Sequence, residues 1–459
     1  MTVSVDADYL VVGAGAMGMA FLDALVDHSD ATVALVDRRH APGGHWLAAY
    51  PFVRLHQASA LYGVASTLLG DGRVQELGPE AGLQERATAP EIQAYYRRVL
   101  DRLESTGRVR FYPGSEYTGG TGFRSRVSGR EYSADGARLV DATTLSGSIP
   151  AESPPPFGVE PGARVVPVGD LAGISHAPRQ YVVAGAGKTA MDACVWLLLQ
   201  GVDPGAICWV RPRDAWMINR ALVQPDPAIF LGMAADTMEA AALATSPDDV
   251  FLRMEERGVM LRIDPDVRPT MAKTPTIAQW EIDLLRTVGD VVRRGHLLAV
   301  APGRLRFADG DVRIDSDALV VHCAAPGLRP GYRPQPVWQD DAIRPQSVRI
   351  GFPCLGAAMC GYVEATRETD DEKNSICVPT PYSDNPTDWL TMQVAGSVAS
   401  RALGGARDVR AWADTTALNP GRILPDRAGD ADVVAVVERM RAAMGPGRER
   451  IAALHAEYA

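Results

Sequence analysis

The chain has 459 residues and a formal net charge of -10, with 46% hydrophobic and 22% charged residues. That size and balance fit a globular enzyme of two or three domains with large cores. The acidic charge argues against a nucleic-acid partner, which requires a basic footprint.

The first residues lack a basic stretch followed by a long apolar run, so no signal peptide is expected. No apolar run approaches about 18 residues, so neither a transmembrane helix nor a membrane partner is expected. None of the six cysteines lies in a CxxC pair, which reads as buried free thiols in a reducing cytoplasm.

Tyr9–Val12 is a short apolar strand followed at once by Gly13-Ala14-Gly15-Ala16-Met17-Gly18 and an apolar helical run. Val33–Val36 is a second strand, ending at Asp37. This is the order of a dinucleotide-binding βαβ unit. Gly13 allows the tight turn, Gly15 lets the backbone approach a pyrophosphate, and Gly18 packs the helix on the strand. The helix N-terminus offers unpaired amides and a positive dipole end. Asp37 suits free ribose hydroxyls. Gly43-Gly44-His45-Trp46 then brings the chain close to a flat ligand, with Trp46 either stacked on it or in the core. Residues 49–57 follow as an irregular aromatic and polar covering loop, in which Arg54 and His56 are candidates to face cofactor or substrate.

Next come an amphipathic helix over Pro90–Leu103, a strand at Val109–Tyr112, a small β excursion from Gly114 to Asp135, and a strand at Arg138–Thr143. The proline-dense stretch from Ile149 to Val168 reads as a linker. A second βαβ unit begins with the strand Tyr181–Ala184, the turn Gly185-Ala186-Gly187-Lys188-Thr189-Ala190, a helix over Met191–Leu199 and a strand at Ile207–Val210. Arg211 now stands where Asp37 stood, with Arg213 close by. Arginine favours a 2′-phosphate, so the first site suits FAD or NAD and the second NADPH. GKT at 187–189 also closes a Walker A loop, but the glycine that loop needs is Val182, inside the strand. Lys188 is then a cation over phosphates or ribose, or an exposed helix-start residue.

Residues 225–260 read as largely helical, and a further helix starts at Pro275. Short strands fall within 296–314, and Asp317–Gly327 is an apolar strand ending in small residues. Residues 332–345 form a loop. Helices are expected within 352–366, 384–403 and 432–444, and Asp370–Asn374 reads as a solvated turn. No HExxH helix, GxSxG elbow or close His/Cys set is present, so metal and acyl-transfer chemistry lack support.

These motifs, in this order, resemble the flavin-containing monooxygenases with two dinucleotide domains, the group of N-hydroxylases and Baeyer–Villiger enzymes. The matching residues are Gly13–Gly18, Asp37, Gly43–Trp46, Gly185–Ala190 and Arg211. Leu171-Ala172-Gly173-Ile174-Ser175-His176 stands nearest to the family's F-x-G-x-x-x-H signature, with Leu for Phe and the histidine one residue early. The resemblance implies an α/β fold with a split FAD domain (1–165 and 317–459) and an inserted NADPH domain (166–316). It implies FAD on Gly13, Gly15, Ala16, Met17, Gly18, Asp37, Arg38, Gly44, His45 and Trp46, and NADPH on Gly185, Gly187, Lys188, Thr189, Arg211 and Arg213. The activity implied is oxygenation of a small organic substrate with molecular oxygen through a flavin peroxide. Arg54, His56 and Asn374 are the candidate catalytic residues, and Asn219 a further polar contact. A flavin reductase without oxygen activation, or a nucleotide-binding regulatory protein, are the alternative readings. Oligomeric state and substrate stay open.

Overall fold

The computed structural model describes residues 2–325 and 332–459. Its first sheet has four parallel strands in the order Val109–Tyr112, Val33–Val36, Tyr9–Val12, Arg138–Asp141. Val33–Val36 is buried along its whole length, as a strand covered on both faces must be. The helix Ala16–His28 lies on one face, and Pro353–Thr366 packs against it. That approach is close: a Cβ on Gly361 would lie 2.2 Å from the Phe21 carbonyl oxygen. The amphipathic helix Ala89–Ser105 starts at Thr88, where Glu91 reaches back to the Thr88 amide at 2.7 Å. The β excursion forms a separate sheet, in which Glu131–Ser133, Gly122–Ser125 and Ser115–Gly119 run antiparallel.

The second sheet has five parallel strands in the order Arg164–Pro167, Leu319–His322, Tyr181–Ala184, Ile207–Val210, Asp290–Val292. Arg164–Pro167 and Leu319–His322 thus share one sheet with the second glycine-rich turn's strands. Tyr181–Ala184 is buried throughout, and Leu319–His322 covers the edge that would otherwise carry unpaired backbone groups. The proline-rich linker is also partly structured. Gly158–Val159 pairs with Ala299–Val300, and Phe157 is buried. Pro326 and Gly327, the end of one expected strand, lie outside the described residues.

The helix expected from Pro275 begins at Gln279, because Thr276–Ile277 pairs in parallel with Ile218–Asn219. The second nucleotide helix starts at Lys188, three residues earlier than expected. Asp370–Ile376 is a helix rather than a solvated turn, and buried Lys373 pairs with Glu364 at 2.7 Å. The last helix runs from Ala431 to Tyr458, through Pro446. It packs on Pro227–Leu243 so closely that a Cβ on Gly447 would stand 2.6 Å from the Met238 carbonyl oxygen. All six cysteines are free and buried.

Candidate functional site

The first glycine-rich turn is built by contact. Gly13 has φ +103°, and a Cβ there would crowd Thr143 at 3.1 Å. A Cβ on Gly18 would strike the Gly13 carbonyl oxygen at 1.9 Å. The Gly43–Gly44 turn docks beside it through the Gly43 amide, which donates to the Ala14 carbonyl at 2.8 Å. Gly44 and Gly15 meet face to face, with 2.9 Å between a Gly44 Cβ position and the Gly15 Cα. No side chain caps the helix that begins here, and Met19 is its first amide to reach a helical acceptor. The amides of Ala16, Met17 and Gly18 precede that ladder and are the donors such a terminus offers to an anion.

Asp37 is buried at the end of its strand and accepts the Ala14 and Arg39 amides, one on each oxygen, at 2.7 Å. Each oxygen retains a lone pair for a ribose hydroxyl. Arg38, expected at the same ligand, is instead mostly exposed and pairs with Glu152 at 3.1 Å. Arg39, itself mostly buried, joins that pair at 2.6 Å, so Glu152 from the proline-rich stretch holds both cations. Trp46 takes a core position, with its indole N–H donated to Tyr62 at 2.6 Å. His45 beside it is exposed. Desolvation, with Arg39 nearby, pushes its imidazole down to about 4.

The covering loop spans both units. Phe52 stacks on Trp196 at 4.7 Å, and Tyr50 donates to Asp192 at 2.7 Å. His56 Nε2 lies 3.8 Å from the same carboxylate, and the His56 carbonyl accepts from Arg220 at 2.7 Å. Burial lowers the His56 imidazole below its ordinary value, which favours the neutral ring. Arg54 is exposed and donates to the Arg86 carbonyl, away from this group.

Lys188 is the cation at the centre of a buried network. Its ammonium meets Asp192 one helical turn on and Glu281 at 3.2 Å. Arg220 meets both Glu281 and Glu80 at 2.6 Å, and Arg86 closes on Glu80 at 2.7 Å. Burial alone would raise the carboxyls of Asp192 and Glu281. Lys188, with His56 at one and Arg220 at the other, outweighs it, holding Asp192 well below the usual range and Glu281 at about 2. Lys188 is thus neither an exposed helix start nor a free phosphate cation, because two carboxylates hold it inward. Asp192 was missed in the sequence, although its place four residues after Lys188 on one helix was a signal.

The second turn is more open. Gly185 has φ +149° and lies against Cys323, whereas a Cβ on Gly187 would meet nothing within 4 Å. Ala190 and Met191 are the first amides to bond the Gly187 carbonyl, so those of Lys188 and Thr189 stand ahead of the helix ladder.

Arg211 follows the next strand, and only 2% of it is exposed. Its guanidinium lies over Trp209 at 4.7 Å, and Trp209 donates its indole N–H to the Gly185 carbonyl at 2.8 Å. One Arg211 nitrogen pairs with Asp214 at 3.0 Å, while Nε and Nη1 are buried without any partner. Two orphaned donors on a buried cation are costly unless a ligand supplies the acceptor. Arg213, expected to share this role, is turned away by Asp384, which binds it at 2.7 and 3.0 Å.

The two candidate asparagines have structural partners. Asn374 clamps the Trp338 backbone, accepting at 3.1 Å and donating at 2.8 Å, so both ends of its amide are engaged there. Asn219 caps a short helical turn and donates to the Gly258 carbonyl. His176, from the degenerate signature, is exposed and contacts Ser175 at 3.0 Å. None of the described helices is long and apolar enough to cross a membrane.

No protein-family model matches the chain. Uncharacterized proteins of Mycobacterium tuberculosis and Mycobacterium bovis are 41% identical to it over 421 residues, 91% of this chain and 78% of theirs. Among solved structures, cyclohexanone monooxygenase from Rhodococcus sp. Phi1 bound to NADP+ superposes with a TM-score of 0.51 at 15% identity, over 89% of this chain and 98% of that one. Oxidized steroid monooxygenase bound to NADP gives 0.51 at 15% identity, over 97% and 99%. The fold is that of these two-dinucleotide-domain monooxygenases.

Proposed function

The chain belongs to one family with these mycobacterial proteins, and from that premise and the shared fold we propose an FAD-dependent, NADPH-consuming monooxygenase acting on a small organic substrate. The observation that carries this reading is the pair of orphaned guanidinium nitrogens on Arg211. They lie beside the second glycine turn, where the 2′-phosphate of NADPH supplies the missing acceptor.

The donor sets fit both cofactors. In the first site the amides at the start of Ala16–His28 take the FAD pyrophosphate, and Asp37 takes ribose hydroxyls on its remaining lone pairs. In the second, the open face of Gly187 and the Lys188 and Thr189 amides take the NADPH pyrophosphate. Bound FAD supplies hydride acceptance from NADPH and reaction with oxygen. The chain orients the partners. Tyr50 and Phe52 hold the covering loop on the second nucleotide helix, which keeps water from the space between the turns. His56, neutral and near Asp192, is the proton-handling group of that loop. The reaction would place one atom of O2 on a nitrogen or carbon, or beside a carbonyl, and release the other as water, with NADPH supplying the two electrons, in the cytoplasm.

The test is to reduce purified holoenzyme with NADPH without oxygen and mix it rapidly with aerated buffer. A transient species, distinct from both oxidised and reduced flavin, is expected before reoxidation. Reoxidation without it favours a reductase, and a flavin that NADPH never bleaches refutes the reading.

A further inference from the structure

Residues 142–157 run as a strap across the mouth of the first nucleotide site. They leave the strand Arg138–Asp141 and end at Phe157, whose neighbour Gly158 pairs with Ala299. At the near end, Ala142 donates its amide to the Val12 carbonyl at 3.0 Å, and Thr143 lies against Gly13. At the far end, Phe157 is buried and meets His322 edge-on at 5.7 Å. Between these ends no residue from 146 to 156 is buried, so little apolar contact opposes opening. Pro150 and Pro154–Pro156 keep the segment stiff.

The middle of the strap is tied by charge. Glu152 donates its amide to the Ile149 carbonyl at 3.0 Å, a turn that presents its side chain. One carboxylate oxygen meets Arg38 at 3.1 Å and the other meets Arg39 at 2.6 Å. These arginines directly follow Asp37, whose carboxylate accepts the Arg39 amide. The charge of Glu152 is also felt at His45, in the turn whose Gly44 meets Gly15. Sheet order fixes what lies beneath. The strands run Val33–Val36, Tyr9–Val12, Arg138–Asp141, all parallel. A chain that leaves the third and is tied just after the first must cross the C-terminal end of the middle one, where the glycine-rich turn stands. The ribose carboxylate Asp37 and the turn are therefore both on the covered side. Both ion pairs reach solvent, so salt weakens them.

We propose that this strap is the gate of the first site: Glu152 latches it over the adenosine end of FAD, and FAD enters and leaves when the two ion pairs part. This rests on the FAD reading of that site. A plain contact with the cofactor slows release alone, whereas a gate slows release and uptake together.

The test measures both rates. Release is followed as the rise in flavin fluorescence on diluting holoenzyme, and uptake as the change on mixing FAD with the full-length apoprotein. E152Q is expected to speed release and uptake alike, by about threefold or more, as loss of two exposed ion pairs allows. The double variant R38M/R39M should do the same, although it removes the cations that would attract the pyrophosphate. Adding E152Q to that double variant should change neither rate further, because the partners are already gone. Salt raised from about 0.05 to about 0.5 M should speed release from the parent more than from E152Q. If E152Q speeds release without uptake, if neither rate moves, or if its effect persists undiminished in R38M/R39M, the proposal is overturned. A parent that takes up no FAD overturns the cofactor reading itself. A parent that holds FAD and is bleached by NADPH, with rates indifferent to Glu152, sinks only the latch.

Discussion

The Tyr50 phenol donates a 2.7 Å hydrogen bond to the Asp192 carboxylate and so joins the loop after the first nucleotide turn to the helix that begins at the second. Asp192 also holds Lys188, and Lys188 holds Glu281, so the bond is one edge of a buried charge network between the two units. Such a network is costly to break from one side, because removing one charge strands its partner.

Glu281 gives that network a pH signature. Burial would raise its carboxyl, but Lys188 and Arg220 outweigh this and take it from 4.5 to about 2. A depressed folded value means stability that is full above the unfolded value and lost as pH falls through the folded one. The contribution is about 3 kcal/mol at neutral pH and disappears between about pH 4.5 and pH 2. Glu281→Gln is expected to lower stability at pH 7 and to flatten this acid limb, measured by urea unfolding at a series of pH values. An unchanged acid limb would contradict the assignment.

Two glycines separate fold from binding. Gly187 has extended backbone that any residue adopts and open space before it, so Gly187→Ala should change stability by less than about 0.5 kcal/mol. Its added methyl meets the pyrophosphate, so the KM for NADPH should rise about tenfold or more with FAD content unchanged. Gly18→Ala places its methyl against the Gly13 carbonyl, and a loss of about 3 kcal/mol or more, with loss of FAD, is expected. Thermal melts, FAD content and NADPH kinetics on both variants check the contrast.

Asn374→Ala removes both hydrogen bonds to the Trp338 backbone. A loss of about 1–3 kcal/mol is expected, with kcat and KM for NADPH within about twofold of the parent. A large loss of kcat at unchanged stability would support the catalytic reading.

The two nucleotide turns were legible because their chemistry is local. Glycine spacing, the flanking apolar strands and the residue after the second strand lie within a few positions of one another. Leu319–His322 was legible as a strand, but its place between Arg164–Pro167 and Tyr181–Ala184 was not, because sheet order is set by burial far along the chain. The fates of Arg38, Lys188, Arg213 and Asn374 were hidden for the same reason. Glu152, Glu281, Asp384 and Trp338 decide them, and each pairing spans 36 to 171 residues. Arg211 was legible by its position, but not the burial that orphans two of its nitrogens.

The most direct measurement of the central claim is anaerobic flavin reduction by NADPH and by NADH, in the parent enzyme and in Arg211→Met. The parent is expected to prefer NADPH, through the phosphate that Arg211 Nε and Nη1 receive. The variant should weaken NADPH about tenfold to a hundredfold, as loss of a charge-assisted pair worth about 1.5–3 kcal/mol requires, and leave NADH within about threefold. Equal losses for both nucleotides, or no loss for either, would contradict the account.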